Sequence, residues 1–207
     1  MADYGTMQAR IADELRRGDI SASSSVVTNA IQTAILHYQN KRFHFNEETD
    51  DTIYTSTDAA FLSSVPADII EIDSLKVVIG TRDYPLEPRD YQYIDYIDSG
   101  QWSGFPEIYT YYKDIVRLYP IPNGNYQMKF SYKKRLATLS GDADTNAWMT
   151  TGEHMIRARA KGEIFMNYLR NPKMAQTYYM EAETARSSIL DESEGKLYSG
   201  RLRPTSF

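Results

Sequence analysis

Apolar residues recur at helical spacing toward both ends of the chain and at strand spacing between them. Met7, Ile11 and Leu15 fall four apart within residues 6–17, and Val27, Ala30, Ile31, Ala34, Ile35 and Tyr38 mark one face of residues 24–41. Two amphipathic helices are therefore predicted. Gly18 is the expected stop of the first. The serines among residues 21–25 offer an N-cap to the second, because a side-chain oxygen can accept from a helix amide that has no carbonyl partner. The joint is short, so the two helices should pack together.

After Lys41 the period changes to two. Residues 69–79 are β-rich, with Ile70 and Ile72 on one parity and Leu75, Val77 and Ile79 on the other. The apolar face thus switches around Asp73 and Ser74, which predicts a bulge or bend. Residues 108–112 and 115–119 read as short strands about Lys113 and Asp114, and Tyr126, Met128, Phe130 and Tyr132 alternate with polar neighbours. Between the last two strands, Pro120, Ile121, Pro122, Asn123, Gly124 and Asn125 predict a turn joining antiparallel partners, since proline cannot donate to a ladder and Asn-Gly readily takes positive φ.

Helical spacing returns with Ile156, Ala160, Ile164 and Tyr168, preceded by Thr150 and Glu153 in the arrangement of a capping box. Asn171 and Pro172 should end that helix and open another, which carries Met174, Tyr178, Ala182, Ala185 and Ile189 on one face. From Glu194 the pattern fails. The expected fold is α+β: a helical bundle built from N- and C-terminal helices, an inserted antiparallel β platform, and a flexible C-terminal tail. The segments are 1–42, 43–140, 141–194 and 195–207.

Composition sharpens this plan in three places. The chain has no cysteine, which excludes disulfides and thiolate chemistry. It has no apolar run near the ~20 residues of a membrane span and no signal-like start, so synthesis in the cytoplasm without a membrane partner is expected. It also has 17 tyrosines, ten of them crowded into residues 84–132 and others recurring at Tyr168, Tyr178, Tyr179 and Tyr198. Strand packing explains single tyrosines, whereas the excess suits surfaces that are wet before assembly and buried after it. Charge is uneven as well. Residues 42–125 hold 15 acidic against 6 basic side chains, while residues 196–207 hold three basic and no acidic ones. A solvated acidic surface explains most of these residues singly, while as a group they would also suit a channel lining that repels DNA phosphates by like charge.

Catalytic chemistry finds no foothold, and no catalytic, cofactor or metal residue is assigned. His37, His44 and His154 lie in no metal-ligand spacing, and no phosphate-binding loop or nucleophile elbow is present. Asp142, Asp144, Asn146 and Glu153 match oxygen-ligand places of a calcium loop, but Ala147 stands where that loop needs glycine and no helix enters it. A polar loop before a capped helix is the favoured reading. Glu47, Glu48, Asp50 and Asp51 form an acidic cluster that reads as a solvated loop rather than an enzyme site.

Several runs resemble those of the tailed-phage head-to-tail adaptors (connector or gatekeeper proteins), including the tail tubular protein A type. They are Val65-Pro66-Ala67-Asp68-Ile69, Pro106-Glu107-Ile108-Tyr109, residues 116–122 (VRLYPIP) and residues 126–132 (YQMKFSY), in that order between paired helices. Val65 stands where leucine is frequent in that family. The resemblance implies a structural, non-enzymatic virion protein of the neck. Twelve copies would form a ring under the portal protein, prolong the channel through which double-stranded DNA passes, and offer a surface to the tail tube or nozzle protein. It further implies that the C-terminal extension docks on the portal, with Leu197, Tyr198, Leu202 and Phe207 as apolar anchors and Arg201 and Arg203 as charged contacts. A tail-completion or neck protein in another layer of the particle is the alternative.

Overall fold

The computed structural model describes residues 3–98 and 102–198, with side chains as far as Lys196. The chain forms two compact units, a helical one (Met1–Asn46 with Leu136–Phe207) and an inserted β platform (Glu47–Arg135). Phe43, the 3-10 turn His44–Asn46, Leu136 and Leu139 thus belong to the helical unit, a few residues inside the segment boundaries expected from the sequence.

In the helical unit, α1 (Tyr4–Leu15) starts at Asp3, whose carboxylate accepts from Thr6 N at 2.7 Å. It ends at Arg16, not Gly18: Arg16 takes the left-handed conformation (φ 50°) and its N–H donates to the carbonyls of Ala12 and Asp13. Glycine costs least in that conformation, but here the carbonyls left open at the helix end set the stop two residues earlier. Helix α2 (Ser25–Tyr38) is capped by Ser24, and Gln8 Nε2 donates to Thr28 Oγ1 at 3.1 Å, tying the first two helices together.

Helix α4 (Glu153–Glu163) has no capping box. Gly152 occupies the N-cap, Thr150 Oγ1 bonds back to Asn146 O, and Glu153 is drawn to Arg10 and Arg157 instead. Ion pairing, to α1 through Arg10 and within α4 through Arg157, takes the place of the local reciprocal bond. After a π turn at Ile164–Tyr168, Asn171 Oδ1 caps α5 (Pro172–Tyr198) through Met174 N at 3.2 Å, as the sequence predicts. The buried stripe of α5 is Ala175, Ala182, Ala185 and Ile189, and Met174 faces outward. The helix also runs through Gly195 to Tyr198. Buried Ser193 donates to Ile189 O and accepts from His44 N, which holds this end of α5 to the 3-10 turn. The core closes on Trp148, stacked edge-on by Phe43 and Phe45.

The β platform contains a four-stranded antiparallel sheet in the order β1 (Glu47–Tyr54), β9 (Gln127–Lys134), β2 (Ile69–Ile79), β3 (Arg82–Pro85). The β2–β9 register slips between Ile72 and Ser74, where the apolar parity switches. A second sheet sets β6 (Ile108–Tyr112) between β4 (Glu87–Pro88) and β7 (Ile115–Tyr119), with Lys113 and Asp114 at positive φ in the β6–β7 turn. Residues 120–125 do not join antiparallel partners. β7 pairs with β6 and β9 with β1 and β2, so this stretch carries the chain between sheets, and β8 (Ile121–Pro122) lies parallel to β5 (Ser103–Gly104). Turn chemistry dictates a local bend but not the strand's partner. Leu75, Val77, Val116, Leu118, Met128 and Phe130 fill the platform core.

Candidate interaction surface

The residues singled out for docking lie at or past the end of α5. Leu197 and Tyr198 belong to its last turn, and Arg201, Leu202, Arg203 and Phe207 lie outside the described residues. Glu47, Glu48, Asp50 and Asp51 are not a loop but the outer edge of β1, where charge blunts a strand that would otherwise invite pairing. Glu48 accepts from Lys134 Nζ at 2.5 Å, and that bond holds its carboxyl below the usual range. Asp50 instead takes Thr52 N and Oγ1 at 2.8 and 2.7 Å in the β1 bulge.

The calcium-like spacing is used for other work. Asp144 Oδ2 accepts from the backbone of Ser140 and Gly141, both at 2.8 Å, and these bonds depress its pKa. Asn146 joins Ala137 O to Trp148 N, and Glu153 pairs with Arg10 and Arg157. Among the described residues, no three His, Asp or Glu side chains are grouped to hold a metal. His44 Nδ1 lies 3.0 Å from Ser193 Oγ and His154 Nε2 3.0 Å from Glu181, ordinary structural contacts, while His37 meets Tyr38 edge-on.

A different surface emerges on the platform. Helix α3 (Tyr91–Ile97) buries Ile94 alone and turns Tyr93 and Tyr96 to solvent, Tyr96 at 84% exposure. Trp102 nearby is 66% exposed. Tyr93 and Trp102 line a groove of about 390 Å³ with Arg89, Phe105, Tyr119 and the carboxylates Glu87 and Glu107. Arg89 pairs with Glu87 at 2.7 Å and lies over the Tyr93 ring at 5.3 Å. Arg117 fastens the helix from below: it binds Asp95, reaches Asp98 at 2.6 Å, and lies over Phe61 and Tyr91 at 5.7 and 5.4 Å. In the neighbouring turn, Tyr111 donates to Asp114 at 3.0 Å; burial first, then this acceptor, push its pKa up to about 12.

The sequence profile of the SU10 adaptor proteins matches residues 2–205. The chain belongs to the SU10 adaptor protein family. It is a structural phage adaptor and a component of the virion. No curated protein matches it. Among the described residues of the adaptor, no helix is long and apolar enough to cross a membrane.

The adaptor's exposed aromatic surface was only half visible in the sequence. The tyrosine excess of residues 84–132 pointed to this region. Helix α3 itself is seven residues long, too short for a helical period to stand out, and the groove is lined by residues between 87 and 108 together with Tyr119 and Pro120, whose convergence on one face no local pattern encodes.

Proposed function

We propose that the adaptor is one copy of the head-to-tail ring, seated under the portal and prolonging the DNA channel toward the tail, in the manner of the tail tubular protein A type. The family match over residues 2–205 carries this reading. Twelve copies would match the portal-docked rings that the sequence resembles. The acidic stretch of residues 42–125 suits a wall that must pass double-stranded DNA without holding it, because like charge repels phosphate. The exposed aromatics of the platform suit contact with the tail tube or nozzle protein or with another copy.

Docking on the portal falls to residues 197–207. Leu197, Tyr198, Leu202 and Phe207 would insert as apolar anchors and Arg201 and Arg203 as charged ones, since a few aromatic and arginine side chains carry most of the energy of such contacts.

The test mixes the adaptor with the portal of the same phage and images the product by electron microscopy. Full-length protein is compared with a chain ending at Lys196, which keeps the Ser193–His44 contact. A coaxial ring that is lost on truncation is the expected result. Failure of both versions to bind would refute the adaptor ring and favour a neck or tail-completion layer. Equal binding by both would refute the docking segment.

A further inference from the structure

The groove beside α3 combines features that suit one kind of occupant. Exposed Tyr93 and Trp102 supply flat apolar walls, and Glu107 together with Glu87, one of whose oxygens is held by Arg89, leaves the groove with one negative charge in excess. Aromatic grooves of this kind receive extended, proline-containing segments, whose backbone is already close to its bound shape, and carboxylates at the groove select basic ones. The adaptor carries such a segment itself. Nine residues follow Tyr198, and they include Arg201-Leu202-Arg203-Pro204 and end in Phe207, with no acidic side chain among them. Nine extended residues span up to about 30 Å, ample to fill a groove of this size.

We propose that the α3 groove binds residues 199–207 of a second copy of this chain. Arg201 and Arg203 meet Glu87 and Glu107, and Leu202 and Pro204 pack on Tyr93 and Trp102. This rests on the portal-docking reading and adds a consequence to it: groove and portal compete for one segment, so copies free of the portal hold each other's docking segments until the portal displaces them. Docking on the portal must then first displace the segment from the neighbouring copy, which weakens portal binding by the strength of that contact.

The test uses full-length adaptor bearing Leu202→Ala, Arg203→Glu and Phe207→Ala, so that its own segment does not compete. A fluorescent peptide of residues 197–207 should bind it saturably by anisotropy, in the micromolar range. Trp102→Ala or Glu107→Lys should weaken binding at least about tenfold, the loss expected of an anchor in a small interface. A peptide with both arginines reversed to glutamate should not bind. Absence of saturable binding, or binding indifferent to Trp102→Ala, overturns the proposal. Because the chain has no cysteine, Ser103→Cys in one copy and Ser206→Cys in another supply a unique cross-link. A covalent dimer from the mixture supports a neighbouring copy as the source, and peptide binding without any dimer overturns it. Portal imaging reads the adaptor function independently: a ring on the portal with no peptide binding removes the groove proposal alone.

Discussion

Gly162 sits where α4 meets α5, and of the described glycines it is the one whose added Cβ would come closest to a neighbour. A Cβ placed on it would stand 2.5 and 2.6 Å from Cε1 and Cδ1 of the Tyr179 ring and 3.4 Å from Ala175 O. Gly162→Ala therefore sets two effects against each other. Helix propensity favours alanine by about 1 kcal/mol. Overpacking costs about 1–3 kcal/mol. The ring, which is planar and has no flexible end to yield, must also swing off Arg159, whose guanidinium lies 4.3 Å from its centroid, at a loss of about 0.5–1 kcal/mol. The clash wins, and the net destabilisation is about 0.5–3 kcal/mol. Urea unfolding followed by Trp148 fluorescence, in a Trp102→Phe background that leaves Trp148 as the sole tryptophan, reads the helical unit alone. In a Tyr179→Ala background the clash is gone, and Gly162→Ala should become stabilising by about 1 kcal/mol. A higher urea midpoint for Gly162→Ala with Tyr179 present would refute the reasoning.

Three further outcomes are expected. Arg117→Leu leaves Asp98, 12% exposed, without its cation and should cost about 2–3 kcal/mol, seen as faster hydrogen exchange at α3 and β7 with the helical unit unaffected. Asn171→Ala removes the α5 cap and should lower stability by about 1 kcal/mol in urea unfolding, where no change would argue that Pro172 alone starts the helix. Asp144 has a depressed folded pKa, owing chiefly to the backbone N–H of Gly141 and then of Ser140, so its stabilisation is present above the ordinary value of 3.8 and is lost as pH falls through the depressed one. The urea midpoints of the wild type and Asp144→Ala should accordingly differ near neutral pH and draw together as pH falls below the ordinary carboxylate range; a constant gap would refute the assignment.

Much of the scaffold was legible because short-range patterns encode it. The strand Ile69–Ile79 and its slip near Ser74 follow from apolar parity, the Asn171 cap from side-chain chemistry, and the helix–sheet–helix order from the change of period. The acidic strand β1 reads as a loop because its first six side chains are polar, and only pairing with β9 and burial of Ile53 make it a strand. The expected hairpin at residues 120–125 failed for a related reason: a turn motif specifies a bend within a few residues, while the partner strand is chosen by burial across the whole platform.

The sequence by itself determined the fold class, the main helices and central strands, and, through ordered runs of packing and turn residues, the adaptor resemblance. Those signals are local or linear and survive without coordinates. Only the tertiary structure decided where α1 and α5 stop, that Glu153 answers to Arg10 and Arg157 rather than to a cap, and that Tyr93, Trp102, Glu87 and Glu107 share one groove. The α1 stop is a contest among backbone hydrogen bonds that propensity does not resolve, while the others rest on contacts, among them Arg10 with Glu153 and His44 with Ser193, that periodicity does not encode.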